Sequence, residues 1–212
     1  MAVQLHLAQD AAADRLISKN SFALLVGMLL DQQVMIEVAF SAPAELERRL
    51  GTKIDAPAIA AIDPDELAAV FSQRPALHRY PASMARRVHE MSRYLVENYQ
   101  GKAERLWRDA PSGPDLVARL RDLPGFGEQK AKIFAALLGK QLGVRPEGWR
   151  EASSPYGDDG SFRSVADIVD PATLDQVRAF KQQMKAQARE KAPAKEKAPA
   201  KAPPAKARSG RR

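Results

Sequence analysis

The run Leu-Pro-Gly-Phe-Gly-Glu-Gln-Lys-Ala-Lys, residues 123–132, sets two glycines and a proline immediately before two lysines. That combination suits an anion. Gly125 and Gly127 let another backbone come close, and a helix that opens after them presents N–H groups with no internal partner. Those donors and the positive end of the helix dipole favour a phosphate. Lys130 and Lys132 add charge beside them. The flanking sequence must supply the scaffold. Leu116, Val117, Leu120 and Leu123 recur at helical spacing before the turn, and Ile133 to Leu138 follows it, closed by Gly139. Pro124 disfavours helical geometry at Leu123, so the pattern predicts a helical hairpin over residues 115–138.

Leu123-Pro-Gly-Phe-Gly127 followed by a polar, Lys-containing helix resembles the helix-hairpin-helix of the HhH-GPD superfamily of DNA glycosylases. The resemblance covers about residues 18–140. It implies an all-α, two-lobed fold with double-stranded DNA across the cleft and the target base flipped into a pocket. It also implies that the hairpin amides grip the DNA backbone, with Gly125, Phe126, Gly127, Gln129, Lys130 and Lys132 at that surface. A second match is Leu29-Leu-Asp-Gln-Gln33, similar to the family's Leu-Leu-Ser-x-Gln. On that match Gln33 fills the space left by the extruded nucleotide. Asp31 stands where the family has Ser, which brings a carboxylate towards the site.

Two catalytic features of the family are altered. The Schiff-base Lys lies two residues after the second Gly, and here that position is Gln129. An amide forms no imine. Lys130 is one residue further on, about a quarter turn around the helix. The family's catalytic Asp sits in a Val-Asp-Thr-His-like run, and this chain has none. The usual spacing from Gln129 reaches Glu147, a longer insertion reaches Asp167, and Asp31 is the third candidate. Two functions follow. One is a monofunctional glycosylase that hydrolyses the N-glycosidic bond of a damaged or mispaired base; the other is a non-catalytic hairpin DNA-binding protein.

Composition narrows the class. The 212 residues include no Cys, which excludes disulfides and a cysteine-held iron–sulfur cluster. His78 and His89 have no ligand partners in sequence, so no metal or other cofactor is expected. No apolar run has membrane-span length and no signal peptide is evident, so the expectation is a cytoplasmic, nucleoid-associated monomer without membrane contact. Net charge is +7, unevenly spread: residues 181–212 hold eleven Lys or Arg against two Glu, a net of +9, leaving −2 for residues 1–180. The body must therefore hold DNA through a local patch.

The rest of the chain reads as helices. Phe22 to Leu30 is the most apolar segment and is expected as the buried central helix. Met35–Phe40 and Glu45–Leu50 read as separate helices on either side of Pro43. Asp63-Pro64 opens another, and Ala82–Tyr99 is a long one mixing Arg86, Arg87 and Arg93 with an apolar face. Val3–Leu7 is an edge strand or an irregular lead-in. A last helix runs from Ala172 to about Ala186. Lys/Ala/Pro repeats then make residues 187–212 a disordered basic tail attached to a domain of residues 1–186.

Overall fold

Several helix boundaries in the computed structural model, which describes residues 4–191, fall where the sequence supplies caps. Asp10 accepts from the N–H groups of Ala12 and Ala13 and starts α1, Ala11–Lys19. Asn20 both ends α1 and opens α2, Ser21–Leu30, accepting from Phe22 and Ala23. Its amide also donates to the Ile54 carbonyl at 2.9 Å. Every residue of α2 from Phe22 to Leu30 is buried, so this helix is the centre of the core, as its composition predicts. A Cβ on Gly27 would lie 2.6 Å from Cδ1 of Phe40, so glycine there permits the next helix to pack closely.

That helix, α3, runs unbroken over Ile36–Leu50 with Pro43 inside it. The sequence suggested two helices separated by the proline. An interior proline costs roughly 3 kcal/mol, and burial of Ile36, Ala39, Phe40, Ala42 and Leu46 on one face offsets it. Next come α4, Ala56–Ala60, and α5, Pro64–Ser72, capped by Asp55 and Asp63 respectively. The long α6, Pro81–Tyr99, buries Met84, Val88, Met91 and Leu95 against α4 and α5. Leu5 and Leu7 are fully buried in an irregular lead-in, and there is no strand among the described residues.

A short α7, Arg105–Arg108, leads into the hairpin, α8 over Gly113–Arg121 and α9 over Glu128–Gln141. The short α10, Trp149–Ala152, packs on both hairpin helices, and a 3₁₀ turn at Val165–Asp167 packs on α9. The last helix, α11, spans Pro171–Lys191 and is longer than expected. The basic tail expected from residue 187 lies, from residue 192 on, outside the described residues. Helices α1 to α6 form one lobe; the hairpin, α10, the 3₁₀ turn and α11 form the other. Leu29 meets Gly125 where the lobes join.

Candidate functional site

The residue that ties the lobes together is Lys130. Its ammonium donates to the carbonyls of Met28 at 2.8 Å and Leu29 at 2.7 Å. These are among the carbonyls that the end of α2 leaves unsatisfied. Nζ also lies 5.6 Å from the centre of the Phe126 ring. Burial pushes the Lys130 pKa down to about 8, opposed by the Asp31 carboxylate and reinforced by Arg87.

Around Lys130 opens a cavity of about 740 Å³ between the lobes. Met28, Asp31 and Gln32 at the end of α2 form one wall, and Gly125, Gly127, Gln129 and Ile133 form a second. Tyr156, Arg163, Phe180, Lys181 and Met184 close the far side. Its volume is that of a small-molecule pocket.

The candidate carboxylates separate here. Asp31 follows the last residue of α2, its side chain is 13 % exposed, and Oδ2 is 4.0 Å from Nζ of Lys181. Among the described residues it is the sole carboxylate on the cavity wall. Glu147 is exposed and lies elsewhere: its carbonyl accepts from Gly113 N–H at 2.6 Å, tying the segment after α9 to the start of α8. Asp167 is 4 % exposed and pairs with Lys140 at 2.6 Å. It also accepts from the N–H groups of Arg163 and Ser164, in a capping box that closes the 3₁₀ turn. It lines a different cleft.

The turn of the hairpin is tight at one glycine and open at the other. Gly125 has φ +83°, and a Cβ there would lie 2.4 Å from Cδ1 of Leu29. Gly127 has φ −101° and ψ 178°, extended backbone that any residue adopts. No atom lies within 4 Å of where its Cβ would be. Its value is the empty space in front of it. No side chain caps α9, so its first N–H groups have no side-chain partner and can serve an anion. Gln129 is exposed at the rim, and Lys132 pairs with Glu128 at 3.2 Å. Phe126 turns its side chain inward. Its ring is 6 % exposed and meets Phe134 edge-on at 6.2 Å, so only its backbone can reach DNA. The apolar area of the ring draws it into the core.

Gln33 is exposed with φ +58°, one of three non-glycine residues in the described chain with positive φ. Such a conformation persists only where the surroundings hold it. Gln32 is fixed by its amide to the Leu29 carbonyl at 2.8 Å and by Arg87 at 3.3 Å. From the other side, buried His78 lies with Nε2 2.9 Å from the Gln32 carbonyl, while its Nδ1 accepts the Tyr80 N–H. Nε2 therefore carries the proton and the ring is neutral. Tyr80 places its hydroxyl 3.5 Å from the Gln33 side chain.

The central motif is thus a hairpin whose open turn faces a cavity, beside a held Gln-Gln loop. A family model described as HhH-GPD superfamily base excision DNA repair protein matches residues 26–197. The chain belongs to that superfamily. Comparison with curated proteins and with solved structures returned no significant match. HhH-GPD proteins are DNA glycosylases, which makes DNA the substrate class. The HhH-GPD match spans both lobes, so the Gln-Gln loop, the hairpin and all of α11 fall within it. Arg163, Phe180, Lys181 and Met184 were not anticipated from sequence; the one available signal was the apolar spacing of Phe180 and Met184 in the last helix. Among the described residues no helix is long and apolar enough to cross a membrane.

His78 gives this HhH-GPD protein a pH dependence. Burial lowers its pKa, the carbonyl of Gln32 opposes the shift, and Lys130 and Arg87 reinforce it. The unfolded chain therefore binds the proton more readily. Stability from the neutral ring is complete above about pH 6.5, the unfolded value, and is lost as pH falls towards the lower folded value. Urea unfolding between pH 7 and pH 5 should show this loss, and His78→Gln should flatten it. An unchanged slope in the variant would assign the effect to other groups.

Proposed function

We propose that this chain is a monofunctional DNA glycosylase in which Asp31 is the catalytic carboxylate. The observation that carries the reading is that, of the three candidate carboxylates, Asp31 alone lines the cavity that the hairpin faces. In this reading the open turn at Gly127 and the N–H groups of α9 hold a phosphate. Gln33 occupies the gap in the base stack, and the extruded nucleotide enters the cavity. As the N-glycosidic bond breaks, C1′ gains positive charge, which the Asp31 carboxylate stabilises. Water adds to C1′, gives up a proton, and the departing base nitrogen gains one. Both products leave the DNA strand intact.

Gln129 supports hydrolysis over imine chemistry, because an amide occupies the Schiff-base position. Lys130 is engaged with two backbone carbonyls. Incubation with duplexes that each carry one lesion, followed by alkali, tests the activity, and borohydride tests the route. The expected result is alkali-dependent cleavage with no trapped adduct. An adduct lost in Lys130→Ala would replace hydrolysis with a lyase route; absence of release from every lesion would favour the non-catalytic DNA-binding function.

Gly127→Val separates grip from fold. The added side chain enters open space, so stability should hold. Duplex affinity should fall roughly tenfold, the worth of about one charge-assisted hydrogen bond. Unchanged affinity by fluorescence anisotropy would remove the hairpin turn from the DNA surface.

A further inference from the structure

Among the described residues, the cavity wall carries three cations and one anion. Lys130, Arg163 and Lys181 line it, with Asp31 as their only carboxylate. Asp31 is itself within 4.0 Å of Lys181. The Arg163 guanidinium lies 5.3 Å from the centre of the Phe180 ring, so the aromatic face that would attract a cation already holds one. Resting on the glycosylase reading, we infer that the preferred substrate is an electrically neutral base rich in carbonyl acceptors, oxidised or deaminated, and not a positively charged alkylated purine.

Two physical arguments converge. The first concerns binding. Arg and Lys are donor-only groups, so the wall reads acceptors, and carbonyl oxygens are the acceptors that oxidation and deamination add to bases. A ring-alkylated purine brings a fixed positive charge into this group of like charges. The second concerns departure. A neutral base leaves as an anion, and cations aimed at it stabilise the charge that develops in the transition state. A cationic base leaves as a neutral molecule and gains nothing from them.

The test separates this inference from the glycosylase reading by measuring binding as well as release. Wild-type protein is titrated with duplexes whose target nucleotide carries a 2′-fluoro sugar, which resists hydrolysis, bearing uracil, hypoxanthine, 8-oxoguanine or 7-methylguanine. At least one neutral lesion should bind roughly tenfold more tightly than 7-methylguanine, a difference that Arg163→Met and Lys181→Met reduce. Equal or reversed affinities overturn the inference. In parallel, release is measured from unmodified-sugar duplexes with the neutral lesions and from dimethyl-sulfate-treated DNA. Faster release of methylated purines overturns the inference and leaves the glycosylase reading standing. A binding preference without any release sustains the charge argument and overturns the catalytic one. For the best neutral lesion, Arg163→Met should slow release by about one to two orders of magnitude.

Discussion

Asp31→Asn is expected to lower base excision by about three orders of magnitude while duplex affinity stays within a few-fold of wild type. The substitution keeps shape and removes the one carboxylate on the cavity wall. The residual rate comes from positioning and from the cations around the departing base. Asp31 also sits opposite Lys181, so part of the change is loss of that partner. Lys181→Met in the Asp31→Asn background separates the two contributions: a lost catalytic charge is not restored by removing Lys181, whereas a defect caused by an unpaired lysine is. Glu147→Gln serves as the comparison, because Glu147 touches the hairpin through its carbonyl. Full activity in Asp31→Asn would remove Asp31 from the chemistry, and loss of activity in Glu147→Gln would move it to Glu147.

The second large effect concerns folding. Asp167→Ala should destabilise the protein by about 3 kcal/mol, which lowers Tm by roughly 6–12 °C for a chain of this size. Asp167 has several partners to lose. It is 4 % exposed, it pairs with Lys140 at 2.6 Å, and it closes the 3₁₀ turn through the N–H groups of Arg163 and Ser164. Removing one partner of a buried pair leaves the other uncompensated. Lys140 retains the Asp158 carbonyl and is 15 % exposed, which holds the loss near the lower end for such pairs. Asp167→Asn should fall between, keeping acceptor capacity but not charge. Thermal unfolding checks the order. A variant that melts with wild type but loses excision would make Asp167 a catalytic residue and Asp31 a bystander.

How far these features could be read from sequence depended on whether they were local. The hairpin is local: proline and glycine punctuate it, and its apolar spacing lies on either side, so α8 and α9 appear where the pattern puts them. The caps at Asn20 and Asp63 are local too. Pro43 misled because the burial that sustains α3 through it is tertiary. The inward packing of the Phe126 ring is tertiary too, its partner Phe134 being on the next helix. The carboxylates were undecidable along the chain. Counting residues from Gln129 reaches Glu147, but no count reveals that the segment folds back onto Gly113. Nor does it show that Asp31, nearly a hundred residues before the hairpin, stands beside it. The far wall came from α11 and the segment before it, whose sequences carry no motif.

Lys130 has a consequence for the DNA. By fastening the end of α2 to the first turn of α9 through two carbonyls, and with Leu29 against Gly125, it fixes the span between Gln33 and the turn at Gly127. The protein then acts as a gauge of set width. On the proposed reading, a duplex held at both points would have to kink to fit a span that does not widen. The deformation energy falls on the nucleic acid, and it is smallest where stacking or pairing is already weakened. Damage would thus be sensed first as mechanical softness, before any atom of the altered base meets the cavity wall.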